Sequence, residues 1–461
     1  MEKLPSKPVV DAVIESKSEI IIASDVATRA GVSLSQARKD LTTLASLSQG
    51  DISVSKDGEL LYEFPNNLNS VLASNSAKYK ARQSFEKAWP VVFTGIRVGF
   101  GVALVASIAL VFSAIMVLQS QGESSDDRRD NRRGGGMSPF GGGFGGMWGP
   151  SPFDFFYYRP YGSYGYYGKG NDVKDPEEMG FLESAFSFVF GDGDPNAGLE
   201  EKRLSLAAQM IRDNKGAVTA EQLAPYCDAP DLPDDSSSYV DESFVLPIVS
   251  QLDGMPTVTE DGDIIYTFPD LQVSASTDIQ NLFRMNESES ELMDPSVLQE
   301  RDYKFSVAPA TYKFFAGALG VVNLGGVLYL GNLFNQYDLY GVRLPSFLGV
   351  AQTLYPALVA YAVLFISIPV ARNFWISSQN AKIQGRNKAR RRWKELAKSG
   401  GGTVLRKLKA AAKFATNRKL LKGEDTIFDT NQSVDVLVEK KEKFDLDEFD
   451  KLLNDDQNTF Q

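Results

Sequence analysis

The chain has 461 residues, 43% of them hydrophobic and 23% charged, with a formal net charge of -11; that length leaves room for roughly three domains. Histidine is absent and Cys227 is the sole cysteine. This excludes a Ser-His-Asp triad, a Cys-His pair, a His- or Cys-rich zinc centre, His-ligated haem, an internal disulfide and a self-contained iron-sulfur cluster. Carboxylate chemistry stays open, but no Asp or Glu pair stands out from the acidic background. No P-loop is present, and the glycine-rich tract lacks the strand-to-helix setting of a dinucleotide site. The expectation is a protein that is not an enzyme, with no cofactor and no evident small-molecule substrate. Glu2, Asp11, Glu15 and Glu19 are acidic where a transit peptide is Arg- and Ser-rich, so the amino terminus does not read as a sorting signal.

In residues 1–75, Val9, Val10, Val13 and Ile14 fall on one helical face, and Ile20 to Ile22 reads as a short extended stretch. A second helix from Asp25 to Ala30 stops at Gly31, and Ser33 with Gln36 forms a capping box that opens a third. Leu34, Ala37, Leu41 and Leu44 share that third helix's inner face, leaving Arg38, Lys39 and Thr42 outward. Ile52 and Val54 then alternate with polar residues, Asp57-Gly58 makes a tight turn, and Leu60, Tyr62 and Phe64 alternate back. Helices followed by a two-stranded wing predict a winged-helix module.

Residues 76–120 carry a basic flank, Lys78, Lys80, Arg82 and Lys87, and an uncharged block from Val98 to Leu118 long enough to cross hydrocarbon. Residues 121–178 hold Arg128, Arg129, Arg132 and Arg133, a glycine tract and an aromatic run from Trp148 to Tyr167. Glycine at that density cannot sustain a packed core, so a disordered linker is expected. Its arginines are interleaved with Asp126, Asp127 and Asp130, which cancels the field that RNA binding needs. Residues 179–198 predict a short apolar helix, Phe181 to Phe190, ended by Gly191-Asp192-Gly193-Asp194-Pro195-Asn196. That turn lacks the ligand set of a calcium loop, and no metal is expected there.

Residues 199–275 repeat the first plan. Leu204, Ala207, Ala208 and Ile211 make helix one, Thr219 and Gln222 repeat the capping box, and Asp261-Gly262 turns a second wing carrying Ile264, Tyr266 and Phe268. An insertion from Pro225 to Ser238 precedes a third helix, Tyr239 to Leu252, in which Pro247 forces a kink or a late start. After a linker, 276–306, residues 307–372 hold two further uncharged blocks, Phe314 to Phe334 and Phe347 to Ala371, read as a membrane hairpin. Residues 373–461 form a basic-then-acidic tail. Arg386, Lys388, Arg390, Arg391 and Arg392 flank the last block and mark its untranslocated side, with anionic headgroups as the expected contact. Phe444, Leu446, Phe449, Leu452 and Leu453 suggest a final amphipathic helix.

The predicted fold is therefore α+β with two winged-helix modules and about three membrane segments. Three full crossings strand the first module opposite the second, although both have positive flanks. A re-entrant first block, or a dip by Met179 to Phe190, reconciles them, with both modules on one side.

A DNA reader needs cations on its third helix. The first module offers Arg38 and Lys39 beside Asp40; the second offers Asp241, Glu242 and Asp253 and no Lys or Arg. The pattern favours protein docking through Arg38, Lys39, Asp241 and Glu242 over nucleic-acid binding. A transporter needs intramembrane polar groups, for which Asn323, Asn332 and Gln352 are the main candidates. The expected partners are the membrane and other membrane-protein subunits.

The run from Phe181 to Asn196, with Glu200-Glu201-Lys202-Arg203, Glu221 to Tyr226 and Ala318 to Leu328, resembles a family from plants, algae and cyanobacteria. Its plant members are chloroplast membrane proteins of unknown function that often carry the description iron-sulfur cluster biosynthesis family protein. The resemblance covers the middle and carboxyl parts. It implies a photosynthetic source and a plastid membrane, thylakoid or envelope, and it adds an accessory role in iron-sulfur cluster biogenesis to the alternatives.

Overall fold

The computed structural model describes residues 4–16, 20–122, 179–232, 241–275, 296–341, 346–399, 402–421 and 426–429. The Gly/Arg/aromatic tract from 123 to 178, the end of the insertion, most of the 276–306 linker and the segment from Phe444 to Leu453 lie outside them. The chain divides into two compact units. One comprises residues 1–84, 196–301 and 382–461; the other comprises 85–195 and 302–381.

The first unit contains the duplicated plan. Its amino-terminal module runs α1 (Lys7–Ser16), β1 (Ile21–Ile22), α2 (Ala23–Ala30), α3 (Leu34–Ser48), β2 (Asp51–Ser55), β3 (Leu60–Glu63) and α4 (Leu68–Asn75), leading into α5 (Ala77–Gly122). Gly31 ends α2 in the left-handed region, φ 63°, where glycine has no steric penalty. Ser33 accepts the Gln36 N–H at 3.2 Å, half of the predicted capping box. Strand order is β1-β3-β2, all antiparallel, with Ile22 opposite Leu61 and Ile52 opposite Tyr62.

The second module runs α7 (Leu199–Asp213), β4 (Ala217–Val218), α8 (Ala220–Leu223), a 3-10 turn, a further 3-10 turn (Glu242–Val245), α9 (Leu246–Gln251), β5 (Met255–Val258) and β6 (Ile264–Thr267), followed by β7 (Val273–Ser274); α6 (Phe181–Phe190) precedes it in the chain. Its order β4-β6-β5 matches the first sheet. Pro247 stands in the first turn of α9, where its missing N–H costs nothing. The helix starts late rather than bending. Here Gln222 accepts the Thr219 N–H at 3.1 Å, supplying the other half of the capping box.

The two modules share one hydrophobic core. Leu34, Leu41 and Leu44 of α3 and Ala207, Ala208 and Ile211 of α7 are all fully buried in it, and burying each such leucine contributes about 1.5–3 kcal/mol. The helix pair α2 and α7 forms the seam, so close at Gly31 that a Cβ there would overlap the backbone of Glu201. Beside the seam lies an ion pair. Arg212, with its side chain only 2% exposed, donates to Asp25 at 3.0 Å. The same carboxylate accepts Ser274 Oγ–H at 3.0 Å and Ala275 N–H at 2.9 Å, and Ser24 Oγ donates to the Val273 carbonyl at 2.6 Å. Burial lowers the pKa of Arg212 from its ordinary value and Asp25 acts against that shift, but the guanidinium stays charged.

The carboxyl segments fold onto this pair. Helix α12 (Gly402–Lys413) packs Ala411 against Ala217 and Ile265. Strand β8 (Lys419–Leu420) runs parallel to β7, and β9 (Thr426–Asp429) runs antiparallel to β2, with Val54 opposite Phe428. The region set apart in sequence as a charged tail thus supplies one strand to the sheet begun near the amino terminus and one that pairs with β7.

The second unit holds most of α5, α6, α10 (Ala310–Leu339) and the first part of α11 (Ser346–Ser399). Helices α5, α10 and α11 are each long and apolar enough to cross a membrane, over Ala77–Gln119, Ala310–Leu339 and Leu348–Ser399. The direction of α5 follows from its partners: Ser107 donates to Asn323 at 3.0 Å, and Tyr337 donates to the Leu118 carbonyl at 2.6 Å. Advancing along α5 therefore advances along α10. Helix α11 runs the other way, with Phe365 against Gly320 and Tyr355 against Phe334. A Cβ on Gly320 would lie 2.6 Å from the Phe365 ring, the close approach that small residues allow between apolar helices.

Helix α6 lies at the end of the bundle where α5 and α10 begin, its Phe186 and Phe190 edge-on to Phe100. Arg372 caps it by donating to the Phe188 and Val189 carbonyls at 3.0 and 2.8 Å. In the turn that follows, Asp192 accepts Ser187 Oγ–H at 2.7 Å and Val307 N–H at 2.8 Å, and Asp194 accepts the Tyr303 hydroxyl at 2.7 Å. Both carboxylates considered for calcium bind protein donors. Among the described residues no group of three or more acidic, Cys or His side chains is placed to hold a metal.

Removing Asp25 leaves the Arg212 charge buried, a change that costs about 3–5 kcal/mol. Asp25→Ala is therefore expected to lower the thermal midpoint of the detergent-solubilised protein and to open the α2–α7 seam to protease. An unchanged midpoint would show that the pair does not hold the modules together.

Candidate functional site

The docking candidates Arg38 and Lys39 lie on the third helix of the amino-terminal module, α3. Ser35, Arg38, Lys39, Thr42, Thr43 and Ser46 line a shallow, open concavity of about 540 Å³ along it. Lys39 is exposed. Arg38 is already engaged within the unit, 2.7 Å from Asp270 and 3.4 Å from Asp253. Burial works against its charge, but the hydrogen bond and charge of Asp270, with Glu59 and Asp253, raise its pKa overall. The module face therefore presents hydroxyls and one exposed ammonium rather than a row of cations.

Asp241 and Glu242 stand at the start of the corresponding segment in the second module. The Asp241 carboxylate caps its own turn, accepting Ser243 N–H at 3.0 Å and Ser243 Oγ–H at 2.9 Å. Glu242 accepts from Lys407 at 2.7 Å and from Tyr266 at 3.2 Å. Lys407 also reaches Glu221 at 2.8 Å; burial opposes its charge, yet the two carboxylates raise its pKa above the usual lysine value. Arg406 grips Asp263 through two hydrogen bonds, 2.7 and 2.8 Å, and those bonds hold that carboxyl below its ordinary pKa. Of the four docking candidates, Lys39 points to solvent, Arg38 bridges the modules, Asp241 shapes a turn and Glu242 holds α12.

The basic flank of the last apolar block divides in the same way. Lys388, Arg391 and Arg392 are exposed, and Arg392 lies 3.9 Å from Asp231. Arg390, with its side chain 1% exposed, pairs with Asp228 at 2.6 Å and Glu300 at 2.9 Å and donates to the Cys227 carbonyl at 3.0 Å. Arg386 pairs with Glu300 as well, Asn387 exchanges hydrogen bonds with the Glu300 backbone, and Trp393 donates to the Pro230 carbonyl at 2.8 Å. Burial alone would raise the Glu300 and Asp228 pKa values, but their arginine partners, Arg386 and Arg390 for the first and Arg203 and Arg390 for the second, bring both below the ordinary range. Two of the five arginines and lysines read as headgroup contacts thus fasten α11 to the second module. Sequence reasoning missed this because Asp228 and Glu300 lie more than eighty residues away in the chain.

Cys227 is buried, and burial pushes its thiol up to about 12. A neutral thiol without a second cysteine or a histidine in the chain does not fit an iron-sulfur cluster.

Fold and site together define a mixed helical protein with small sheets, a duplicated helix-and-strand unit, and three helices able to cross a membrane. No family model matches the chain, and no solved structure matches it. It is 35% identical over 457 residues to a protein of Arabidopsis thaliana described as "Uncharacterized protein At5g03900, chloroplastic", covering 98% of this chain and 83% of that one. The chain belongs to the family of that chloroplast protein. The relative's description carries no iron-sulfur activity.

Arg390→Ala removes the buried cation shared by Glu300 and Asp228 but leaves Arg386 on the first and Arg203 on the second, so it is expected to destabilise the fold by less than the about 3–5 kcal/mol of an orphaned buried charge. The depressed carboxyls contribute stability that is complete above their unfolded pKa values near 4 and lost as pH falls through their lower folded values. Thermal midpoints measured from neutral pH to about pH 3 should therefore fall more steeply in the parent than in Arg390→Ala.

Proposed function

We propose that this protein is a multi-pass membrane protein of a plastid membrane whose paired modules, winged helices by element order, dock other proteins on the stromal side and so tether or assemble a membrane complex. The element order α-β-α-α-β-β with sheet order 1-3-2, present twice, supports the winged-helix assignment. Three apolar helices and a chloroplast relative support the location.

One observation carries the choice of protein over nucleic acid: the cations of the modules and of the carboxyl segments packed on them are spent on carboxylates inside the unit. Arg38, Arg212, Arg390, Arg406 and Lys407 all bind carboxylates within the same unit. A duplex reader needs such groups on phosphates, where each neutralised charge releases counterions. What remains is a hydroxyl-lined face with Lys39 on one module and carboxylates on the other, a surface suited to polypeptides. Affinity capture of the tagged chain in mild detergent is expected to recover membrane-complex subunits, with the same recovery after nuclease treatment. Recovery dominated by plastid DNA would replace this reading with a membrane-anchored nucleic-acid binder, and recovery of cluster-assembly proteins would favour an accessory role in iron-sulfur biogenesis.

The bundle also supports both modules on one side. Helices α5 and α10 are parallel and α11 is antiparallel to them, so the start of α5, the start of α10 and the exit of α11 share one end. In a Cys227→Ser background, single cysteines at Lys39 and Lys388 should be labelled by an impermeant maleimide from the stromal side. A cysteine at Tyr340 should be labelled only from the other. Opposite labelling of Lys39 and Lys388 would overturn the arrangement.

A further inference from the structure

The duplication gives two wings of the same design whose outer strands meet different fates. In the first, β2 is flanked by β3 on one side and by β9 on the other, giving the order β1-β3-β2-β9. In the second, the order stops at β5, and no strand lies beyond it among the described residues. Val258 stands in β5 where Val54 stands in β2, each three residues before the Asp of its turn.

The backbone of Val258 faces the open side. Thr259 N–H donates to the Asp263 carbonyl at 2.8 Å, and Val258 is opposite Ile264. In an antiparallel ladder hydrogen-bonded and non-bonded pairs alternate, so Val258 turns its N–H and C=O away from β6. The first wing confirms the geometry: Ser55 N–H donates to the Glu59 carbonyl at 2.9 Å, and Val54 pairs outward with Phe428. Two residues before Val258, Pro256 also faces outward. It offers a carbonyl but no N–H, a device that blunts an edge against indiscriminate pairing.

We infer that β5 is a strand-addition site that takes an extended, lysine- or arginine-bearing segment of a partner protein, paired antiparallel opposite Val258 as β9 pairs opposite Val54. The inference rests on the protein-docking reading and specifies its chemistry. Main-chain hydrogen bonds supply the attachment in this mode, and side chains at alternate positions supply selectivity. The edge offers Val258 N–H, Val258 C=O and Pro256 C=O, which fixes one short register. Val258, 67% exposed, gives a guest an apolar contact on one face of the sheet, and Met255, 58% exposed, on the other. From Asp253 to Asp263 the strand and its turn carry no cation; Arg38 and Arg406 engage Asp253 and Asp263, while Glu260 and Asp261 at the turn are exposed. A second copy is a poor guest for that reason. Antiparallel self-pairing brings the exposed Glu260–Asp261 turn of each copy no cation from the strand of the other.

The test uses the full chain in detergent and a fluorescein-labelled decapeptide of alternating isoleucine and lysine. Saturable binding that weakens with added salt is expected. Loss of one ladder hydrogen bond or one charge contact should weaken it about tenfold, the ratio that about 1.4 kcal/mol produces. That loss is expected for Val258→Pro, for the Glu260→Lys, Asp261→Lys double variant, and for a peptide N-methylated at alternate residues. The turn variant and the methylated peptide leave the strand intact, so they stand even if Val258→Pro misfolds. No binding by the parent, or equal binding by all of these, overturns strand addition. So does a parent dimer that Val258→Pro dissociates, which would assign the edge to a second copy. If the peptide fails while captured partners persist in Val258→Pro, the docking reading survives without this site; if no protein partners are captured at all, the docking reading itself fails.

Discussion

The carboxylate of Asp25 is the point on which the first unit turns. It sits on α2 of one module, holds Arg212 on α7 of the other, and accepts two further hydrogen bonds from Ser274 and Ala275 beside β7. Strand β7 is in turn the one that β8 joins. A charge pair this deeply buried gains little over an apolar contact of equal volume, since desolvation consumes most of the attraction. Its effect is on geometry: a leucine pair tolerates sliding, whereas a bonded carboxylate fixes the register of α2 against α7.

That constraint explains where the basic residues went. The chain is acidic overall, and its cations were read from sequence as outward-facing groups for headgroups or partners. In the folded unit Arg38, Arg212, Arg386, Arg390, Arg406 and Lys407 each meet a carboxylate from a distant segment. Charges neutralised inside the unit contribute little to the positive potential that polyanions need.

Local signals were legible from residues alone. Alternation around Asp57-Gly58 and Asp261-Gly262 located both antiparallel strand pairs, Ser33 and Gly31 located helix ends, and three uncharged blocks located the long apolar helices. Short-range chemistry writes such features into neighbouring residues. What the sequence hid was carried by long separations. Nothing near Val404 or Thr426 announces that α12 packs on β6 or that β9 extends a sheet begun at Ile21. The exposure of Lys39 was legible from the helical pattern, whereas the partners of Arg38 lie over two hundred residues away. The basic flank misled for the same reason, because clustered arginines look alike whether they face lipid or Glu300.

The pairing of β9 with β2 sets an order on how the molecule is made. Residues 426–429 complete a sheet whose first strand is formed by residues 21–22, so all three long apolar helices are synthesised before that sheet can close. Contacts of such sequence separation form late and slowly, and until then the β2 edge is an unfilled template for any passing extended chain. The amino-terminal sheet is therefore incomplete until nearly the whole polypeptide has been made.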